Sequence, residues 1–163
     1  MTGTSEQAKG QHQLADESFV SADDLRDYMH QQELAKINTE MAALDRAEQA
    51  RAELVKTLSE PMELTQERLH EISQNLIHKM RLAAQRGETE IMIMRFPNAL
   101  CTDKGRAINN SDENWPETLT GRPRQAYELW RDHLREGHYK LRALIIDWPN
   151  GMPGDVGMFI SWA

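Results

Sequence analysis

The first strong pattern along the chain is a long run of helix-forming residues. No Gly or Pro interrupts the sequence between Ser21 and Pro61, and Ala, Glu, Gln, Leu and Arg dominate it. This composition predicts a helix near 22–58, about 55 Å long at 1.5 Å per residue. Ser21 and Asp24 have the spacing of a capping pair at its start, and the proline ends it.

Positions three and four residues apart along this helix form a seam of the kind that coiled coils use. Its apolar members are Leu34, Ile37, Met41, Leu44, Val55 and Leu58. The two positions in the middle of the seam, Glu48 and Arg51, are polar. Three interpretations stay open: the helix packs on its own domain, it self-associates into a homo-oligomer, or it docks a protein partner through residues 34–58. A short repeat with two polar positions does not choose between them.

Residues 61–163 alternate helical and strand patterns, which predicts a compact domain of the α/β class, bordering on α+β. Its first element is a helix over 66–86, capped by Thr65 and ended by Gly87, because apolar residues recur there at helical spacing. The later predicted elements are a strand over 89–96, a short helix over 103–109 capped by Thr102, a helix over 123–136, and strands over 139–148 and 156–162.

We expect these three strands to form one small mixed sheet covered by helices. Strand 89–96 is apolar on both faces, which predicts a central strand. It forms a β-α-β crossover with the 123–136 helix and strand 139–148. The last two strands, separated by residues 149–154, form an antiparallel hairpin. Helix 66–86 belongs to the core, because three strands cannot bury their faces alone.

The charge divides the chain in the same way. The chain of 163 residues has 19 basic and 26 acidic residues and a net charge of −7, of which −6 belongs to residues 1–60. Residues 1–19 are polar and acidic, which predicts a disordered tail. The expected organisation is this tail, a long amphipathic helix over 20–60 and a compact domain over 61–163. The lack of clustered basic excess disfavours a protein that coats nucleic acid.

The loop after the first strand is the richest candidate site for a ligand or anion. It contains Arg95, Cys101, Lys104, Arg106 and Asn109. A thiol near two cations at a helix start can have a lowered pKa, and the same groups can hold an anion. A cysteine nucleophile also needs a base, and no histidine lies within 20 residues of this thiol. No catalytic residue is therefore assigned, and a small buried thiol among solvated charges is the simpler interpretation.

The helix over 122–136 is the candidate for nucleic-acid contact. Its basic residues are Arg122, Arg124, Arg131 and Arg135. However, Glu128 lies four residues after Arg124, and Asp132 lies three before Arg135. These spacings form ion pairs along a helix, so we expect a solvated, internally paired face and no binding of nucleic acid.

Other chemistry finds little support in the sequence. The single cysteine excludes a Cys-rich zinc framework, the histidines lack ligand spacing, and no nucleotide-binding motif occurs. We therefore expect no metal and no cofactor. No apolar run is long enough to cross a membrane and no secretion signal is recognisable, so the expected location is the cytoplasm.

The function that best fits these patterns is a non-enzymatic interaction or regulatory protein that self-associates or docks a partner through its N-terminal helix. One alternative is a domain that binds a small molecule or anion with the 95–110 loop, with or without enzymatic activity. The other is a nucleic-acid-associated regulator that uses the 122–136 helix.

Overall fold

The computed structural model describes residues 21–163, and the predicted tail over 1–19 lies outside them. By their internal contacts the residues divide into two units, one ending at Gln49 and one covering Ala50–Ala163. Helix α1, Ala22–Ser59, runs through this boundary. The second unit therefore includes the last ten residues of α1.

The two long helices begin and end within one residue of the predicted positions. At the start of α1, the Ser21 hydroxyl accepts a hydrogen bond from the Asp24 backbone N–H at 3.2 Å. Helix α2 covers Gln66–Gln85, and Thr65 caps it in the same way by accepting from the Arg68 N–H. The chain leaves α2 through Gly87, whose φ of 78° favours glycine. The caps and ends of these helices could be predicted, because each depends on residues only a few positions away.

The remaining elements are short. They are β1 (Glu90–Phe96), α3 (Arg106–Asn109), α4 (Gly121–Leu129), β2 (Lys140–Ile145) and β3 (Val156–Ser161). Helix α4 continues into a π-helical turn, Trp130–Leu134, and a 3-10 turn, Arg135–Gly137. The predicted helix over 123–136 thus exists as three successive helical types. Further 3-10 turns cover Asn98–Leu100, Trp115–Thr118 and Pro149–Gly151.

The expected combination of helices and one three-stranded sheet is confirmed, but the arrangement of the strands differs in two respects. The order is β1-β3-β2, and both pairings are antiparallel. The sheet is therefore antiparallel rather than mixed, since β1 and β2 run in the same direction with β3 between them. The central strand is β3 and not β1, because β3 pairs with both other strands. On edge strand β1 the apolar Met92 is 46% exposed, so its apolar character does not indicate burial.

The last two strands form the predicted hairpin, although residues 146–155 connect them rather than six residues. Backbone hydrogen bonds from Ile146 to Asp155 and from Gly154 to Asp147 close this longer loop. Central strand β3 is the most buried element of the sheet. The hydrophobic core gathers around it and consists of Phe96, Leu100, Cys101, Ile108, Leu119, Val156 and Met158.

Candidate functional site

The apolar seam on α1 is uncovered over its first half. Residues 21–50 include no buried residue. The large side chains on the seam are the most telling, with Leu34 46%, Ile37 43%, Met41 59% and Leu44 66% exposed. Single exposed apolar residues are common on protein surfaces, but four in a row at 3-4-3 spacing form a continuous stripe.

The second half of the same seam is covered within unit 50–163. Val55 and Leu58 are partly buried and pack against the hydrophobic core. One turn before them, the Arg51 guanidinium lies 3.3 Å from the Asp155 carboxylate. This contact explains one polar position of the seam, because it pairs Arg51 with the β2–β3 loop of the same unit.

Asp155 also binds the first of the predicted ligand residues. Arg95 Nε donates to Asp155 Oδ2 at 2.9 Å, and its Nη2 lies 3.6 Å from Asp147 Oδ2. The backbone N–H of Asp155 donates in turn to the Asp147 carboxylate. The guanidinium of Arg95 thus binds two carboxylates of the β2–β3 loop. Sequence reasoning missed these partners, because more than 50 residues separate them and no local pattern connects them.

Cys101 is part of the hydrophobic core. Its side chain is 3% exposed, and burial raises the pKa of the thiol to about 11. This shift is opposite to the one that a thiolate nucleophile needs at neutral pH. The backbone around it is tied to the segment before α4, since Thr102 N–H donates to Thr118 O at 2.8 Å and Thr120 N–H to Leu100 O at 3.1 Å.

Helix α3 is capped by Asp103 and not by Thr102 as predicted. The Asp103 carboxylate accepts from the backbone N–H groups of Gly105 at 3.0 Å and Ala107 at 2.8 Å. Lys104 and Gly105 have φ values of 57° and 84°, and this left-handed turn brings the carboxylate over the helix start. The amides at the start of α3, which the sequence suggests for an anion, therefore already bind a carboxylate.

The three remaining predicted ligand residues, Lys104, Arg106 and Asn109, are exposed around α3. Cys101, in contrast, is buried, and Arg95 is bound to the β2–β3 loop. The loop thus places its five candidate residues in three different environments. The five residues are close in sequence, but this closeness does not by itself assemble them into a ligand site.

Three of the four arginines over 122–136 contact neighbouring groups of the same unit. Arg124 pairs with Glu128 at 3.3 Å, as the spacing predicts. Asp132 pairs with Arg131 at 3.0 Å rather than with Arg135, and this contact lowers the pKa of the carboxyl. Arg122 Nε donates to the Glu60 carbonyl at 3.2 Å. These contacts leave a mixed-charge surface.

A shallow groove of about 220 Å³ lies in unit 50–163 and was not predicted. Its walls are mostly apolar and come from α2, β1, α4, the π-helical turn and β3, so no single stretch of sequence reveals it. The lining residues are Ile72, Asn75, Leu76, Lys79, Ile93, Ala126, Leu129, Trp130, Leu134 and Ile160. The π-helical turn contributes Trp130, whose indole N–H is already bonded to the Tyr139 carbonyl at 2.9 Å.

The described part of the chain has neither a clustered metal site nor a membrane-spanning helix. Residues 21–163 contain no group of three or more His, Cys, Asp or Glu side chains placed to hold a metal ion. Among the same residues, no helix combines the length and apolar character needed to cross a membrane. In comparisons with known proteins, no protein-family model, no curated protein and no solved structure matches this chain.

Proposed function

We propose that this protein is a non-enzymatic interaction protein that binds another helix along residues 34–44 of α1, the docking segment. The observation that carries the proposal is the exposed stripe of four large apolar side chains at heptad spacing. Heptad spacing is the pattern by which one helix packs its side chains between those of a second helix. Unit 50–163 anchors the end of the same helix through Val55 and Leu58.

The size of the stripe sets the expected strength of this contact. Each of the four side chains is roughly half exposed. Covering one of them contributes about 1 to 2 kcal/mol at 25 cal/mol per Å² of apolar surface. Association costs several kcal/mol of translational and rotational freedom, so most of this gain is offset. We therefore expect reversible binding of moderate affinity, which suits a regulatory contact better than a permanent complex.

The two alternative functions receive less support from the geometry. In the 95–110 loop, Arg95 already binds Asp147 and Asp155, and the amides at the start of α3 already bind Asp103. A nucleic-acid surface on α4 would need arginines that already contact Glu128 and Asp132. The docking segment, in contrast, presents apolar surface that no described residue buries.

A designed helical peptide tests the proposal directly. The peptide carries Ile and Leu at its seam positions and neutral Gln at the flanking positions, and its binding to the chain is measured by isothermal titration calorimetry. Sedimentation velocity in parallel reports whether a second copy of the chain takes the same place. We expect binding or self-association, and the double variant Met41→Gln with Leu44→Gln should abolish it.

The matched control is Thr39→Gln with Arg46→Gln. These residues are also exposed and lie on the opposite face of the helix. The control should bind as the unchanged chain does, and circular dichroism should show equal helicity for both variants. A chain that stays monomeric and binds no peptide would overturn the proposal, as would equal loss of binding in the two variants.

A further inference from the structure

The charged residues beside the docking segment indicate the chemistry of its partner. With Leu34 and Met41 at the first seam position of each heptad and Ile37 and Leu44 at the second, four flanking positions border the stripe. They are occupied by Glu33, Asn38, Glu40 and Asp45. Three of the four are acids and none is basic, so one sign of charge lines the apolar stripe on both sides.

These acids lack a paired base among residues 21–163. All three are exposed, and no ion pair between residues 21 and 163 includes Glu33, Glu40 or Asp45. The bases nearest in sequence are Lys36 and Arg46, which occupy positions farther from the seam. The flanking carboxylates are therefore free to interact with charges on a partner.

A second copy of the chain fits this surface poorly in either orientation. In a parallel pair, the residue just before the first seam position of a heptad faces the residue just after the second seam position of that heptad on the other copy. This places Glu40 opposite Asp45. In an antiparallel pair, Glu33 and Glu40, which each precede a first seam residue, face the same kind of position on the other copy, so acids again face acids. Neither arrangement forms an ion pair of opposite sign, and like charges across a helical interface disfavour association.

We infer that the docking segment binds a basic amphipathic helix of another protein, one with Lys or Arg flanking an apolar stripe at heptad spacing. This inference rests on the proposed function and specifies its partner. The apolar stripe supplies most of the binding free energy, and the charges select the partner. Attraction between exposed carboxylates and cations also makes the contact sensitive to salt.

Three peptides with identical seam residues test the inference, with Lys, Gln or Glu at all flanking positions. We expect affinity to fall in that order, with the Lys peptide binding about tenfold or more tightly than the Glu peptide at low salt. The difference should shrink at high salt, because mobile ions screen exposed charges. Isothermal titration calorimetry at two salt concentrations measures both effects.

Charge reversal on the chain provides the second arm. The triple variant Glu33→Lys, Glu40→Lys, Asp45→Lys should prefer the Glu peptide. The matched control is Glu63→Lys, Glu67→Lys, Glu71→Lys, which changes the net charge equally at exposed positions outside the docking segment. This control should keep the original order of affinities, because the effect depends on position and not on total charge.

The possible results distinguish the basic-partner inference from the proposed function. Equal affinity for the three peptides, or dimerisation of the unchanged chain through the docking segment at low salt, would overturn the basic-partner inference and leave the proposed function standing. A monomeric chain that binds none of the peptides would overturn both. Reversal of preference by the control variant would also overturn the inference, since net charge alone would then explain selection.

Discussion

The two halves of the seam on α1 follow the same spacing and lie in different environments. Leu34 and Leu44 are exposed, whereas Val55 and Leu58 pack against the core of unit 50–163. The comparison shows that heptad spacing reports which face of a helix is apolar and does not report what covers that face. On this helix, one seam serves a contact within the chain at one end and is left uncovered at the other.

The two regions also differ in what stabilises them. Unit 50–163 buries large side chains around β3, including Phe96, Leu100 and Met158, which lie within 1% of complete burial. Residues 22–49 contain no buried side chain, so their helix depends on intrinsic propensity, on the Ser21 cap and on the acids of the first turn. Substitutions in the two regions should therefore have very different effects on stability.

The largest expected effect comes from the core. Phe96→Ala should lower the free energy of unfolding by about 3 to 5 kcal/mol, because it removes a completely buried aromatic ring. Met41→Ala on the docking segment should change it by less than about 0.5 kcal/mol. Urea unfolding followed by circular dichroism and tryptophan fluorescence measures both. Similar losses in the two variants would contradict the distinction between the regions.

The next effect concerns the point where α1 ends beside the start of α4. Gly121 has a φ of 58°, and a Cβ atom there would lie 2.2 Å from the Leu58 carbonyl oxygen. Gly121→Ala should therefore cost about 2 to 4 kcal/mol, from a left-handed backbone and a backbone clash together. Gly87 has a similar φ of 78° with nothing within 4 Å, so Gly87→Ala should cost only about 1 kcal/mol. Equal costs would show that α1 does not approach α4 closely.

The buried thiol gives the core a dependence on pH. Because burial raises the pKa of Cys101 from an ordinary value of 9.0 to about 11, folding favours the neutral thiol. The resulting stabilisation is complete below pH 9 and is lost as the pH rises towards 11, with a magnitude on the order of 2 kcal/mol. The free energies of unfolding of the chain and of Cys101→Ala, measured across this pH range, should differ less as the pH rises. A constant difference would mean that the thiol is accessible to water in the folded state.

A smaller effect compares the two halves of the seam directly. Leu58→Ala should destabilise the chain by about 1 to 2 kcal/mol, less than a completely buried leucine because Leu58 is only partly covered. Leu44→Ala should be close to neutral and should instead weaken binding of the helical peptide. Thermal unfolding and peptide titration of both variants separate the roles. A Leu44 variant that loses stability as much as Leu58→Ala would show that the docking segment is covered within the chain.

The smallest effect is expected for the ion pair at the point where the seam becomes covered. A double-mutant cycle of Arg51→Ala and Asp155→Asn should give a coupling of about 0.2 to 1 kcal/mol, because the arginine is half exposed and solvent screens the pair. Coupling should fall at high salt. A coupling of zero at low salt would show that Arg51 does not fix the end of α1 on the β2–β3 loop.

Local features of the fold were predictable because their causes lie within a few residues. Ser21 and Thr65 cap helices through amides three positions away, and Gly87 ends α2. The strand positions also followed from short apolar runs. The order of the strands did not, because the pairing of β1 with β3 joins residues 60 to 71 positions apart, and the apolar Met92 made an edge strand resemble a central one.

The candidate site shows the same division. The sequence identified the apolar seam and the cluster of charged residues in the 95–110 loop. It did not show that Asp103 would turn back to cap α3, because this depends on the left-handed conformation of Lys104 and Gly105. Nor did it show that Asp155 would bind both Arg51 and Arg95, which approach it from other parts of the chain.

By itself, the sequence determined the elements, the apolar face of α1 and the acidic border of its docking segment, since periodicity and residue type are properties of neighbouring positions. Only the tertiary structure decided which part of that face is covered. Burial depends on which distant surfaces meet, and here the core around β3 covers Val55 and Leu58 while leaving Leu34 to Leu44 exposed. The same heptad pattern therefore packs against the core at one end of the helix and stays exposed at the other.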